Sequence, residues 1–126
     1  MEKVIIQRIE PAFTDERGTI RDLFDGAVRH VGLITSKKGS VRAQHYHKQQ
    51  IQHTYVLSGK VELTTKDLSQ KGSKPVTVVV TAGSMITLQP MVIHKYVALE
   101  DYAIIEITDI KRTQGDYESD TFRVEI

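Results

Sequence analysis

A chain of 126 residues has the size of one domain. Hydrophobic residues make up 40% and charged residues 26%, a globular balance that excludes a disordered tail and a coiled-coil rod. The 17 Lys and Arg against 16 Asp and Glu leave a formal charge of +1, with no basic footprint for nucleic acid or anionic lipid, and the lack of Cys excludes disulfides, a Cys-based zinc site and a thiolate nucleophile.

Met1 to Glu10 alternates charged and apolar residues and has no signal-peptide centre. No apolar run approaches the roughly 20 residues of a membrane helix, so a cytoplasmic protein is expected. The apolar pattern has period two. Val61, Leu63 and Thr65 alternate with Glu62 and Thr64, and Ile105 and Ile107 face away from Ile104, Glu106 and Thr108. β-branched residues crowd these segments, as half-buried strands prefer. The pattern predicts strands over Val4–Ile6, Thr19–Phe24, Val31–Thr35, Gln52–Leu57, Lys60–Thr65, Val76–Val80, Met85–Leu88, His94–Ala98, Ala103–Thr108 and Phe122–Ile126. Turn chemistry separates them at Asp15-Glu16-Arg17-Gly18, Ser58-Gly59, 66–74 and Ala82-Gly83-Ser84. Short strands at about ten-residue spacing predict a sandwich or barrel with almost no helix. Its expected core includes Val56, Val61, Leu63, Val78, Ile86, Leu88, Ile105 and Ile107.

Four of the five histidines are candidates to converge. His45 and His47 are one residue apart, so on a strand they share a face. Such a pair can grip one metal ion or one substrate, with His94 brought beside it by a returning strand. His53 is the fourth candidate, although it alternates away from Gln52 and is expected off the site. His30 stands alone before a strand and is read as a surface residue.

The spacing resembles a known pattern. Gly39, five residues, His45-Tyr46-His47, four residues, Gln52, six residues and Gly59 resemble the first cupin motif, spanning 39–59. Gly83, five residues, Gln89-Pro90-Met91, two residues and His94 resemble the second, spanning 83–98. The resemblance implies an all-β, single-domain cupin, a double-stranded β-helix or jelly-roll barrel over 1–126. It also implies His45, His47, Gln52 and His94 at the metal-ligand positions, Gln52 standing where the family has Glu. Three imidazoles suit Zn, Mn, Fe or Ni.

Pro11-Ala12-Phe13-Thr14-Asp15-Glu16-Arg17-Gly18, followed by Arg21-Asp22-Leu23-Phe24, looks like the opening of the dTDP-4-dehydrorhamnose 3,5-epimerase family. Arg42, His45, His47, Lys48 and Gln52 are also similar to the matching segment of the dTDP-4-keto-6-deoxyglucose 3,4-ketoisomerases. That resemblance implies a nucleotide-sugar epimerase or ketoisomerase that requires no cofactor. His45 would be the general base beside a sugar ketone, Arg42 would hold an enolate or a phosphate, and His47 would orient His45 or relay the proton. A Tyr would donate the proton from the other face. Tyr55, Tyr96 and Tyr102 are candidates that strand parity does not separate, and Tyr96 is placed in the catalytic set. Arg17 is read as a turn residue. The alternatives are a metal-dependent cupin enzyme, a dioxygenase or isomerase with a three-His divalent metal site, and a non-catalytic cupin that binds a sugar or small metabolite. The expected partner is a small molecule such as a nucleotide-linked sugar, with neither nucleic acid nor membrane. A C2 homodimer is expected, with Val4–Ile9 a candidate to add to a partner's sheet.

Overall fold

The computed structural model describes residues 2–110 and 115–126. The elements are β1 (Val4–Arg8), β2 (Phe13–Asp15), β3 (Gly18–Ile20), β4 (His30–Ser36), β5 (Val41–Tyr46), β6 (Gln52–Ser58), β7 (Lys60–Asp67), β8 (Val76–Thr81), β9 (Ser84–Leu88), β10 (Val92–Ala98), β11 (Tyr102–Thr108), α1 (Asp116–Ser119) and β12 (Phe122–Arg123). They form two five-stranded antiparallel sheets, β1-β9-β6-β11-β4 and β12-β5-β10-β7-β8, and a small β2-β3 hairpin. No helix among the described residues is long and apolar enough to cross a membrane.

Period-two alternation turns one face of each sheet inward. At one end the interior is apolar, filled by Val56, Val61, Leu63, Val80, Ile86 and Ala98. At the other end the same strands turn polar residues inward. On β6 these are Gln52 and Thr54, on β10 His94, and on β11 Glu106 and Thr108, all buried. The barrel thus has an apolar base that supplies hydrophobic stabilisation and an end lined by buried polar side chains.

Three expected core residues are placed differently. Val78 faces inward opposite Leu63 but is 36% exposed. Between β1 and β8 the sandwich stays open as a groove of about 730 Å³, lined by Val4, Ile6, Leu63, Val76 and Val78. Ile105 is only half-buried, because β11 turns Ile104 and Glu106 inward instead. Ile107 is buried from the outside, under the segment 21–28.

The element bounds also differ. Thr19–Phe24 shortens to β3, and Phe122–Ile126 shortens to β12. The Val41–Tyr46 strand was not marked by any apolar alternation; β10 and β12 hold it from both sides. β1 pairs with β9, Val4 opposite Leu88 and Arg8 opposite Ser84, and forms one edge of its sheet. The outer edge of β8 has no partner among the described residues.

Gly59 makes the β6–β7 turn at φ +88°, and a Cβ there would overlap the Asp101 carbonyl oxygen and the Tyr102 backbone. Gly72 has a similar φ, +78°, with open space around it. Gly72→Ala is expected to cost about 1–2 kcal/mol, the left-handed penalty alone. Gly59→Ala is expected to cost more, because its overlap is with backbone. Urea unfolding of the two variants checks this, and equal costs would contradict the close approach.

Candidate active site

The site is built on a break in β5. In a regular strand Arg42 and His45 would face opposite sides. Here Ala43 (φ 72°) and Gln44 (φ 57°) adopt left-handed conformations. The pairing with β10 jumps accordingly: Tyr96 lies opposite Arg42, Lys95 opposite Ala43, and His94 opposite His45. The extra residue is a β-bulge, and it rotates Arg42 and His45 to the same side. Both line a cavity of about 270 Å³ at the polar end, together with Gln52, Tyr96, Glu106 and Arg123.

Three imidazoles meet beside this cavity. Ring centroids of His45 and His94 are 4.6 Å apart, those of His45 and His47 4.8 Å, and those of His47 and His94 5.6 Å. One ring nitrogen from each lies within 4.8 Å of the others. Two of the rings are fixed by backbone carbonyls. His94 Nδ1 donates to Val92 O at 3.1 Å, and His47 Nδ1 donates to Asp120 O at 2.9 Å. A carbonyl only accepts, so each neutral ring carries its lone pair on Nε2. Burial, followed by the nearby charge of His45, pushes His94 down to about 3, so its imidazole is neutral at working pH.

The remaining polar groups form a connected set. Gln50 Nε2 donates to Gln52 Oε1 at 3.3 Å, and Gln52 Nε2 donates to Tyr96 Oη at 3.1 Å and to Thr54 Oγ1 at 3.2 Å. Gln52 shares the cavity, and its amide oxygen, which has two lone pairs, accepts one bond from Gln50. Burial raises the Tyr96 phenol well above its ordinary range, so it keeps its proton. Arg42 Nε donates to Ser36 Oγ at 2.6 Å and Nη2 donates to Thr35 O at 3.0 Å, which ties β5 to β4 across the cavity mouth.

Of the candidate tyrosines, Tyr96 lines the cavity with His45. Tyr55 lies on the outer face between Met85 and Ile105, and Tyr102 packs in the apolar core. His53 is off the site, bonded to Thr87 Oγ1 at 3.0 Å with its ring 4.4 Å from that of Phe24. Arg17 is a turn residue, paired with the Asp15 carboxylate at 2.7 Å and with its side chain 81% exposed.

Sequence reasoning missed Glu106, Asp120 and Arg123. Glu106 was set on the outward side because Ile105 and Ile107 look like core. The available signal was that Glu106 shares its parity with Ile104 and Thr108, a second inward set with the phase reversed. Arg123 and Asp120 reach the site only through the pairing of β12 with β5, which no sequence spacing encodes.

Two facing antiparallel sheets with a histidine cluster at one end define an RmlC-like cupin jelly roll. The chain belongs to the polysaccharide biosynthesis C-terminal domain family, whose model matches residues 13–122. It is similar to dTDP-4-dehydrorhamnose 3,5-epimerase from Sulfolobus tokodaii, with 22% identity, 94% of this chain and 75% of that chain covered, and a TM-score of 0.77. It is similar to the sugar 3,4-ketoisomerase QdtA from Thermoanaerobacterium thermosaccharolyticum, solved in complex with TDP, with 18% identity, 96% and 88% covered, and a TM-score of 0.72. It is also similar to ChmJ, a 3'-monoepimerase from Streptomyces bikiniensis solved with dTDP-quinovose, with 18% identity, 91% and 68% covered, and a TM-score of 0.76. No curated protein matches the sequence.

The depressed His94 sets a pH dependence. The folded ring stays neutral to about pH 3, whereas the unfolded ring takes a proton below its ordinary value of 6.5. The unfolded state therefore binds more protons in that window, and stability falls as pH falls from 6.5 toward 3. The slope from this one group is expected to reach about 1.4 kcal/mol per pH unit. Urea unfolding from pH 7 to 4 should show a shallower loss in His94→Gln than in the parent chain.

Proposed function

We propose that this chain is an isomerase of a nucleotide-linked keto sugar, with His45 as general base. The observation that carries the reading is the single cavity shared by His45, Tyr96, Arg42 and Arg123. It joins a base, a protonated phenol and two guanidinium groups, the inventory needed to move a proton beside a ketone and hold a diphosphate. At about 270 Å³ it lies near the lower end of ligand pockets, the scale of one sugar ring rather than a whole nucleotide. A second polar cleft, lined by Lys37, Ser40 and Ser58, continues on the far side of Arg42 and offers room for the nucleotide. Of the similar proteins, ChmJ was solved in complex with dTDP-quinovose and QdtA in complex with TDP.

In this reading His45 takes the proton from the carbon next to the ketone. The C–H electron pair becomes a carbon–carbon double bond, and the carbonyl oxygen takes the negative charge. Arg42 and the Tyr96 hydroxyl stabilise that oxygen. The buried Glu106 carboxylate favours the imidazolium formed at His45. Return of a proton to the opposite face of the same carbon gives the epimer; where that carbon bears a hydroxyl, transfer of the hydroxyl proton to the former carbonyl oxygen, with return of the abstracted proton to the former carbonyl carbon, gives the shifted ketone. No redox partner is consumed. His45→Ala is expected to slow deuterium wash-in on a nucleotide-linked keto sugar by about 10²–10⁴-fold. His47→Ala should cost less if it only orients His45. Wash-in unchanged by His45→Ala would refute the assignment.

A three-His metal centre is the second reading, favoured by one specific observation. His47 and His94 both give Nδ1–H to a backbone carbonyl and keep Nε2 for a ligand, the arrangement that orients metal-bound imidazoles. His45, His47 and His94 would hold a divalent ion such as Zn, Mn, Fe or Ni, which would polarise a bound carbonyl. Elemental analysis of untagged protein, with loss of the ion in His47→Ala, would establish it. Sugar-nucleotide binding without wash-in or metal would instead leave a binding cupin. We also propose a C2 homodimer. Val31 and Leu33, at 59% and 68% exposed on the outer face of edge strand β4, favour a covered surface. Light scattering at tens of micromolar should give twice the chain mass, and a monomer would refute it.

A further inference from the structure

The loop between β5 and β6 carries His47 and is stitched to the far end of the chain. The Asp120 carboxylate accepts from three consecutive backbone N–H groups: Lys48 at 3.0 Å, Gln49 at 3.1 Å to both oxygens, and Gln50 at 2.9 Å. Successive N–H groups aimed at one anion form a nest, and a carboxylate held by charge-assisted bonds stays fixed. Asp120 is 7% exposed, so these bonds are shielded from water. The next N–H, of Ile51, is held by Asp109 Oδ1 at 3.0 Å. The backbone carbonyl of the same Asp120 accepts from His47 Nδ1 at 2.9 Å. Beside it, Phe122 stacks on Tyr46 with centroids 5.3 Å apart, and Lys48 Nζ sits 4.5 Å above the Phe122 ring.

We propose that Asp120 is a positioning residue for His47: its carboxylate grips the 48–50 backbone, and that grip holds its own carbonyl where it fixes the His47 tautomer. The carboxylate and the carbonyl act on two parts of one loop, so neither the loop nor the ring can shift without breaking the other contact. The ring held this way lies beside His45 and His94, with centroids 4.8 and 5.6 Å away. The consequence for reaction rate rests on the isomerase reading, while the consequence for the tautomer does not.

The test uses the full chain with uniform ¹⁵N label, reading histidine ring nitrogens by NMR in Asp120→Ala and Asp120→Asn. His94, pinned by Val92 O, is the internal reference for an intact barrel. Asp120→Ala should move His47 away from the Nδ1–H tautomer while His94 keeps its own. Asp120→Asn, which retains one acceptor oxygen, should retain part of the His47 signal. Deuterium wash-in should fall about 10–100-fold in step with tautomer loss, as removal of an orienting partner typically does. A His47 that keeps the Nδ1–H tautomer in both variants overturns the proposal. Loss of both His47 and His94 signatures together also overturns it, since Asp120 would then serve the fold alone. A parent chain with no wash-in would refute the isomerase reading, and the tautomer result would still decide the role of Asp120.

Discussion

One extra residue in β5 decides which side chains meet inside the barrel. With regular alternation, Arg42 would point into solvent while His45 pointed inward. The left-handed pair Ala43-Gln44 cancels that alternation and gives the cavity its guanidinium. Non-glycine residues in this region cost on the order of 1–3 kcal/mol each, so the surroundings must hold them there. Here they do so from both sides: β10 pairs with β5 across the bulge, and Val124 N donates to Gln44 O from the segment after β12. The C-terminal segment is therefore a second support of the site as well as the source of Asp120 and Arg123.

The interior polarity follows from the same geometry. Burying imidazoles, amides and a carboxylate is unfavourable unless each finds a partner. The chain concentrates them at one end, where cross-strand neighbours are themselves polar: Thr54 opposite Glu106, Gln52 opposite Thr108, His45 opposite His94. The opposite end carries the hydrophobic stabilisation, with Leu63, Val56 and Ile86 fully enclosed. Strain and desolvation at the site are thus offset by packing at a distance. That separation lets one small sandwich keep both an apolar core and a polar cavity.

Much of this was legible in the sequence. Alternation along Lys60–Thr65 and Met85–Leu88 marks strands whose inward residues are set by parity, and the motif spacings bring His45, His47 and His94 together. Parity failed where two faces are both covered. On β11 Ile107 lies under the 21–28 segment and Ile105 is half-buried, so their pattern mimics core and hides Glu106. It also failed at β5, whose Arg, Gln and His side chains carry no apolar rhythm. Its strand character comes from hydrogen bonds to β10 and β12, a tertiary effect. Asp120 lies 70 or more residues from the N–H groups it binds, and nothing local announces such a contact.

The unpaired rim of β8 bears on how the protein behaves in concentrated solution. Its sequence, Val-Thr-Val-Val-Val-Thr, is uncharged, and Val76 and Val79 are 59% and 55% exposed. An edge of this kind is a template for unwanted pairing between molecules. Lys74 and Pro75 stand immediately before it, and proline has no N–H to offer an incoming strand. They act as gatekeepers that stop intermolecular pairing from spreading into the preceding loop, while the turn at Ala82-Gly83 closes the other end. The edge is not remote from the histidines: Val76 lies opposite Thr65 and Thr65 opposite His94, so a substitution made there for solubility sits two strands, about 10 Å, from the His94 backbone.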